Sequence, residues 1–155
     1  MKLCIRDKKA FTLVGIEMRT TNRSGEARYQ VPAFWQKFYH DQVVAQIPSV
    51  VDPETIYAVY SDYDEQGYYS MLIGVEALLP QKLEPHLIVK TVPSFKYAMF
   101  TAKGAIPYTI PQAWEYVWSH DFPHTRAFRA DFEVYDGRSK VVHDAEVDLY
   151  ISILS

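Results

Sequence analysis

The chain has 155 residues and a mass of 18.0 kDa, enough for one core or two very small ones. Its net charge of −3, pI near 5.9 and longest basic run of two (Lys8-Lys9) exclude an electrostatic grip on nucleic acid or an anionic membrane. A single cysteine, Cys4, excludes an internal disulfide framework and a cysteine-based zinc site.

No apolar run approaches the ~18 residues of a membrane span, and the N-terminal stretch MKLCIRDKKAFTLVG is too charged for a signal peptide, so the cytoplasm is the expected address. Aromatics are the outlying number. Twelve Tyr, eight Phe and three Trp make 15% of the chain, which suits both a core and a surface that stacks on a flat ligand.

In chain order, Cys4 falls in a first strand region and Phe11 to Met18 is β-branched and apolar, a strand. The polar segment Thr20 to Tyr29 reads as a loop. Pro32 suits the first turn of a helix, in which Trp35, Phe38, Tyr39, Gln42 and Val43 follow at helical spacing. Ile56 to Tyr60 and Tyr69 to Leu78 are strands joined by a hairpin-like connection ending in Gly67. The order then repeats. Tyr97 to Lys103 is a strand, Pro111 opens a short helix with a stripe of Ile110, Trp114, Val117 and Trp118, and Arg129 to Tyr135 and Glu146 to Ile153 are strands.

Both halves therefore read strand–helix–strand–strand, over about 10–80 and about 95–155. Neither half buries much core alone. The expectation is one α+β domain over 1–155: two pseudo-symmetric units sharing an antiparallel sheet, with both helices on one face and a central cleft. Gly15 and Gly74 lie inside strands, where a bulge is the expected reason.

Alternation sorts the faces. Ala130, Phe132 and Val134 point one way and Asp131, Glu133 and Tyr135 the other, while Val147, Leu149, Ile151 and Ile153 oppose Asp148, Tyr150 and Ser152. The apolar rows are expected under the helices. Glu133, Tyr135 and Tyr150 would then share the opposite face, whose plainest explanation is the wet side of a sheet. In the first half both rows stay apolar, as two covered faces require.

The segments FTLVGIEMRTTN, VPAFWQKF, IYAVYSDYDEQGYYSMLIGVEA, VPSFKYAMFTAKG, IPQAWEYVWSHDFP, RADFEVYD and VDLYISI, in this order and spacing, resemble the gyrase-inhibitor-like small-molecule-binding family. That family is related to the effector-binding domains of AraC-type and MerR-type transcription regulators. The resemblance spans nearly the whole chain and implies two pseudo-symmetric units around an aromatic cleft with an acid at its floor. The acid of the family's F-E-x-Y pattern falls on Glu133, and the tyrosine of the last strand on Tyr150. The helix tryptophans fall on Trp118 and Trp35, and a first-half tyrosine on Tyr57 or Tyr60. Related regulators carry a DNA-binding region ahead of this domain, so the resemblance implies a stand-alone ligand domain without direct nucleic-acid binding.

A carboxylate withdrawn from water either takes up a proton or waits for a cation. A delocalised organic cation meets the second need, since it loses little hydration and stacks on aromatic rings at ~0.5–2 kcal/mol each. The expected ligands are amphipathic, cationic, drug-like molecules bound with broad tolerance. Two other readings use the same chain. One is a hydrolase of strained, cyclopropane-type electrophiles, with Glu133 activating water or donating a proton. The other is a protein-interaction inhibitor of DNA gyrase. His120 and His124 are separated by Pro123 and lack a third ligand, so no metal is expected, and the absence of P-loop and dinucleotide glycine patterns implies no cofactor. The Arg126–Arg129 pair, like Lys8-Lys9, reads as scattered charges and not as a phosphate-tracking patch.

Overall fold

The computed structural model describes residues 2–79 and 82–154. Its elements are β1 (Cys4–Lys8), β2 (Phe11–Thr21), α1 (Glu26–His40), β3 (Ile56–Ser61), β4 (Tyr68–Glu76), β5 (Ile88–Val92), β6 (Phe95–Gly104), α2 (Thr109–Trp118), β7 (Ala130–Tyr135) and β8 (Ala145–Ser152). Among the described residues, eight strands form one antiparallel sheet in the order β1-β6-β8-β7-β3-β4-β2-β5.

That order is symmetric about the β7–β3 pair: β8 answers β4, β6 answers β2, and β1 answers β5. The edges are exchanged. β1 precedes β2 in the chain but pairs with β6, while β5 precedes β6 but pairs with β2. The expected α+β architecture is thus observed, with one strand that pattern reading lacked. β5 escaped because Ile88–Val92 is short, lies at an edge and shows little burial alternation.

Helix α1 starts earlier than Pro32 predicts. Gly25 takes a left-handed φ of 74° at the N-cap, Glu26 stands in the first turn, and Pro32 lies inside the helix. The polar run read as a loop therefore contributes the end of β2 and the first turns of α1. The helix holds because Ala27, Val31, Phe34, Trp35 and Phe38 form one apolar stripe against the sheet. In α2 the corresponding stripe is Ile110, Ala113, Trp114 and Val117.

Register shows that the helices share a face. Glu133 of β7 pairs with Ala58 of β3 on one side and with Leu149 of β8 on the other. Directly paired residues point the same way. Ala58 belongs to the core under α1 and Leu149 to the core under α2, so both helices lie on the side that Glu133 faces.

Among the described residues the other face carries no α-helix, and it is nevertheless buried. Leu13, Val59, Leu72, Val92, Tyr97, Ala130 and Phe132 form a core there. Strong curling of the sheet provides the cover. Phe11 of β2 and Phe132 of β7 stand three strand spacings apart, about 14 Å in a flat sheet. Their ring centroids are 5.4 Å apart.

Gly15 and Gly74 mark a close approach rather than the expected bulge. They pair directly across β2 and β4, and a Cβ on either would run into the partner strand's backbone, at the Ile73 and Val14 carbonyls respectively. Backbone cannot yield as a side-chain tip does. Gly15→Ala or Gly74→Ala is expected to destabilise the fold by about 1–3 kcal/mol or more, read as a fall in the urea midpoint at unchanged slope.

Candidate functional site

Strand β7 is inverted relative to the expectation. Its apolar row, Ala130 and Phe132 with Val134, fills the curled underside, and its polar row, Asp131, Glu133 and Tyr135, lies beneath the helices. On β8 the apolar row does face α2. The central pair of strands therefore sets polar side chains into the seam between two apolar half-cores, one under each helix. Tyr135 packs against both.

Glu133 is fully buried. The Tyr135 hydroxyl donates to its Oε1 at 2.6 Å, and Oε2 accepts from Trp114 Nε1 at 2.6 Å and from the Tyr60 hydroxyl at 3.0 Å. All three partners are neutral. Burial raises the Glu133 carboxyl above its ordinary value, and the three hydrogen bonds only partly oppose it. Burial likewise pushes the Tyr60 and Tyr135 phenols well up, so both remain donors.

Aromatic rings enclose this acid. Trp35 of α1 meets Tyr135 edge-on at 4.9 Å, Tyr60 meets Trp114 at 5.2 Å, and Tyr69 lies 5.8 Å from Tyr60. Two cavities lie away from the acid, one of about 340 Å³ between Tyr63, Lys90, Pro93 and Phe128, another of about 570 Å³ beside Ile47 and Pro85.

Next to Glu133 on the same strand face is a second buried acid, Asp131. Its Oδ2 accepts from the Tyr63 hydroxyl at 2.6 Å and from Arg126 Nη2 at 2.7 Å, and its Oδ1 from the Ser152 backbone amide at 2.7 Å and hydroxyl at 3.0 Å. Arg126 is thus a largely buried ion-pair partner and not an isolated charge.

Of the residues read from the sequence, Glu133, Tyr135, Tyr60 and Trp35 are brought together. Tyr57 and Tyr150 are not. Phe132 pairs with Tyr150 in register and stacks on it at 4.6 Å and 10°, while Glu133 pairs with Leu149, so Tyr150 lies on the face away from Glu133. Tyr57 joins the same underside cluster, 5.3 Å from Phe11. Trp118 is 56% exposed and touches the site only through Trp114, one helical turn earlier, at 6.3 Å. Trp114 is the donor that sequence reading assigned to the core stripe. Its signal was there: it sits in mid-stripe, where a tryptophan aimed at the sheet needs a partner for its N–H. Tyr63 and Asp131 gave no such signal.

Among the described residues no helix is long and apolar enough to cross a membrane, and no group of three or more metal-ligating side chains is gathered. A two-helix, curled antiparallel sheet with a buried acid at its pseudo-symmetric seam defines an effector-binding domain of the kind related to transcription regulators. The chain belongs to the integron-associated effector binding protein family (Cass2), whose model matches residues 4–153. It is 30% identical over 156 residues to YobU of Bacillus subtilis, a name placed among transcriptional regulators, covering 95% of this chain and 93% of that one. It is 29% identical over 155 residues to the transcriptional regulator BrlR of Pseudomonas aeruginosa, covering 96% of this chain but 54% of BrlR, about half its length. Its fold is similar to that of SAV2435, solved bound to tetraphenylphosphonium, with a TM-score of 0.83 at 23% identity over 100% of this chain and 95% of that one. These likenesses agree with the effector-binding resemblance in the sequence.

Proposed function

We propose that the protein binds lipophilic organic cations in the cleft between α1 and α2, with Glu133 as the anionic anchor and Trp114, Tyr60, Tyr135 and Trp35 as the surrounding rings. The observation that carries this reading is a fully buried carboxylate whose partners are all neutral. Such a group is left with an uncompensated charge that a delocalised cation relieves at small desolvation cost. The fold shared with SAV2435, which was solved with a lipophilic cation, is consistent with it.

Entry requires the aromatic donors to turn aside. Trp114 is the side chain placed to do so, because it bonds Oε2 from a helix whose end carries the exposed Trp118. Aromatic faces accept many ligand shapes, so sequestration or sensing of several drug-like cations follows more readily than a single tight fit.

The test is thermal unfolding with increasing tetraphenylphosphonium. Stabilisation should grow with the logarithm of concentration and reach about 2.7 kcal/mol at 100 times Kd. Tryptophan fluorescence should quench in parallel and the ligand should be recovered unchanged. No shift with several unrelated lipophilic cations at millimolar concentration overturns the reading, and a converted ligand favours the hydrolase.

A further inference from the structure

We propose that Asp131 is a second cation position of the same cleft, occupied in the free protein by the chain's own Arg126, and that Arg126 thereby restricts bound ligands to one positive charge. The proposal rests on the reading of Glu133 as a cation anchor.

Asp131 and Glu133 stand two residues apart on one strand face, a separation of about 7 Å along the strand. Both are fully buried, yet they are served differently. Glu133 has three neutral donors, whereas Asp131 holds a guanidinium. That guanidinium is also enclosed by rings. Its Cζ lies 4.3 Å from the Phe128 centroid, 5.8 Å from Trp114 and 5.9 Å from Tyr63. A flat, delocalised cation between aromatic rings and over a buried carboxylate has the chemistry of organic-cation recognition, performed here by a side chain. Trp114 is the wall between the two positions, since its ring faces Arg126 and its N–H bonds Glu133.

Arg126 is held imperfectly. Its Nε is buried and unpartnered, a lost donor that weakens the internal pair against a better-fitting competitor. Its backbone is fixed by a bridge to Ile153, so displacement needs only the side chain to move. Two of the rings around the guanidinium, Tyr63 and Phe128, also border the cavity of about 340 Å³, whose remaining lining includes Lys90, Pro93 and Ala130. While Arg126 stays in place, the second charge of a dication must sit beside a like charge. That repulsion weighs more heavily on a dication, whose second charge sits against Arg126, than on a monocation held at Glu133.

The experiment compares two flat pyridinium probes, the monocation N-methyl-4-phenylpyridinium and the dication methyl viologen, by calorimetric titration. Arg126→Gln should raise the dication-to-monocation affinity ratio about 10- to 100-fold over wild type, the scale of one charge-assisted contact in a desolvated site. Arg126→Gln combined with Asp131→Asn should return the ratio to the wild-type value. An unchanged ratio in the single variant, or a rise that persists in the double variant, overturns the proposal. If Arg126→Gln unfolds with Asp131 left unpaired, melting curves replace titration, and methyl viologen should restore a cooperative transition where the monocation does not. Equal or no restoration overturns it too. Absence of monocation binding to wild type removes the Glu133 reading and this proposal with it, whereas monocation binding with an unchanged ratio removes this proposal alone.

Discussion

Replacing Glu133 by Gln should cut the affinity for a lipophilic cation by about 10- to 150-fold while leaving a neutral dye of similar shape far less affected. Gln keeps the shape and an oxygen for the Trp114 N–H, removes the charge, and turns an NH2 toward the Tyr135 hydroxyl, which then accepts instead of donating. The surrounding rings exclude water, so little screening weakens the lost attraction. Equal losses for both dyes, or none for either, would mean that Glu133 is not the anchor.

The pH dependence carries the same assignment. Burial raises the Glu133 carboxyl above its ordinary 4.5 in the folded protein, so the native state holds the proton more tightly than the unfolded chain. Stability from this group is therefore lost as pH rises from the unfolded value through the raised folded value, and is flat above it. Glu133→Gln escapes that loss and should match or exceed wild-type stability at neutral pH. Cation binding runs the opposite way. The cation needs the carboxylate, so affinity should climb as pH rises through the folded value and then level, with proton release below it. In Glu133→Gln the affinity should not vary with pH across this window.

Truncating Phe132 to Ala should cost about 3–5 kcal/mol, roughly a 6–20 °C drop in Tm for a domain of this size. Phe132 is fully buried and touches rings from several strands: Phe11 at 5.4 Å, Tyr97 at 5.3 Å and Tyr150 at 4.6 Å. Among the described residues no α-helix covers this side, so the aromatic cluster must hold the curl. A cost below about 1 kcal/mol would show that the underside is not a core. Well below the new Tm, cation affinity should be retained, because Phe132 points away from Glu133. Loss of binding in a folded Phe132→Ala protein would instead place Tyr150 and Tyr57 at the ligand.

The strands and helices of the two halves were legible because each rests on a local period. Ile110, Trp114, Val117 and Trp118 recur at helical spacing, and Val147, Leu149 and Ile151 alternate, whatever surrounds them. The repeat of strand–helix–strand–strand, and with it the α+β class, followed from those periods. Glu133 stood out through the F-E-x-Y pattern of the resemblance, which marks it and passes over Asp131 two residues earlier.

Alternation separates two rows but does not say which row meets the helices. On β8 the apolar row does and on β7 it does not, because curling made a second core that claimed Phe132 and left the seam to Glu133 and Asp131. That choice belongs to the whole sheet, since it depends on Phe11 reaching across three strands. The exchange of β1 and β5 likewise needs both halves assembled. Arg126 read as one of several scattered charges for the same reason. Only the folded chain brings Asp131, Tyr63 and Phe128 around it, and a buried ion pair has no period by which a sequence can announce it.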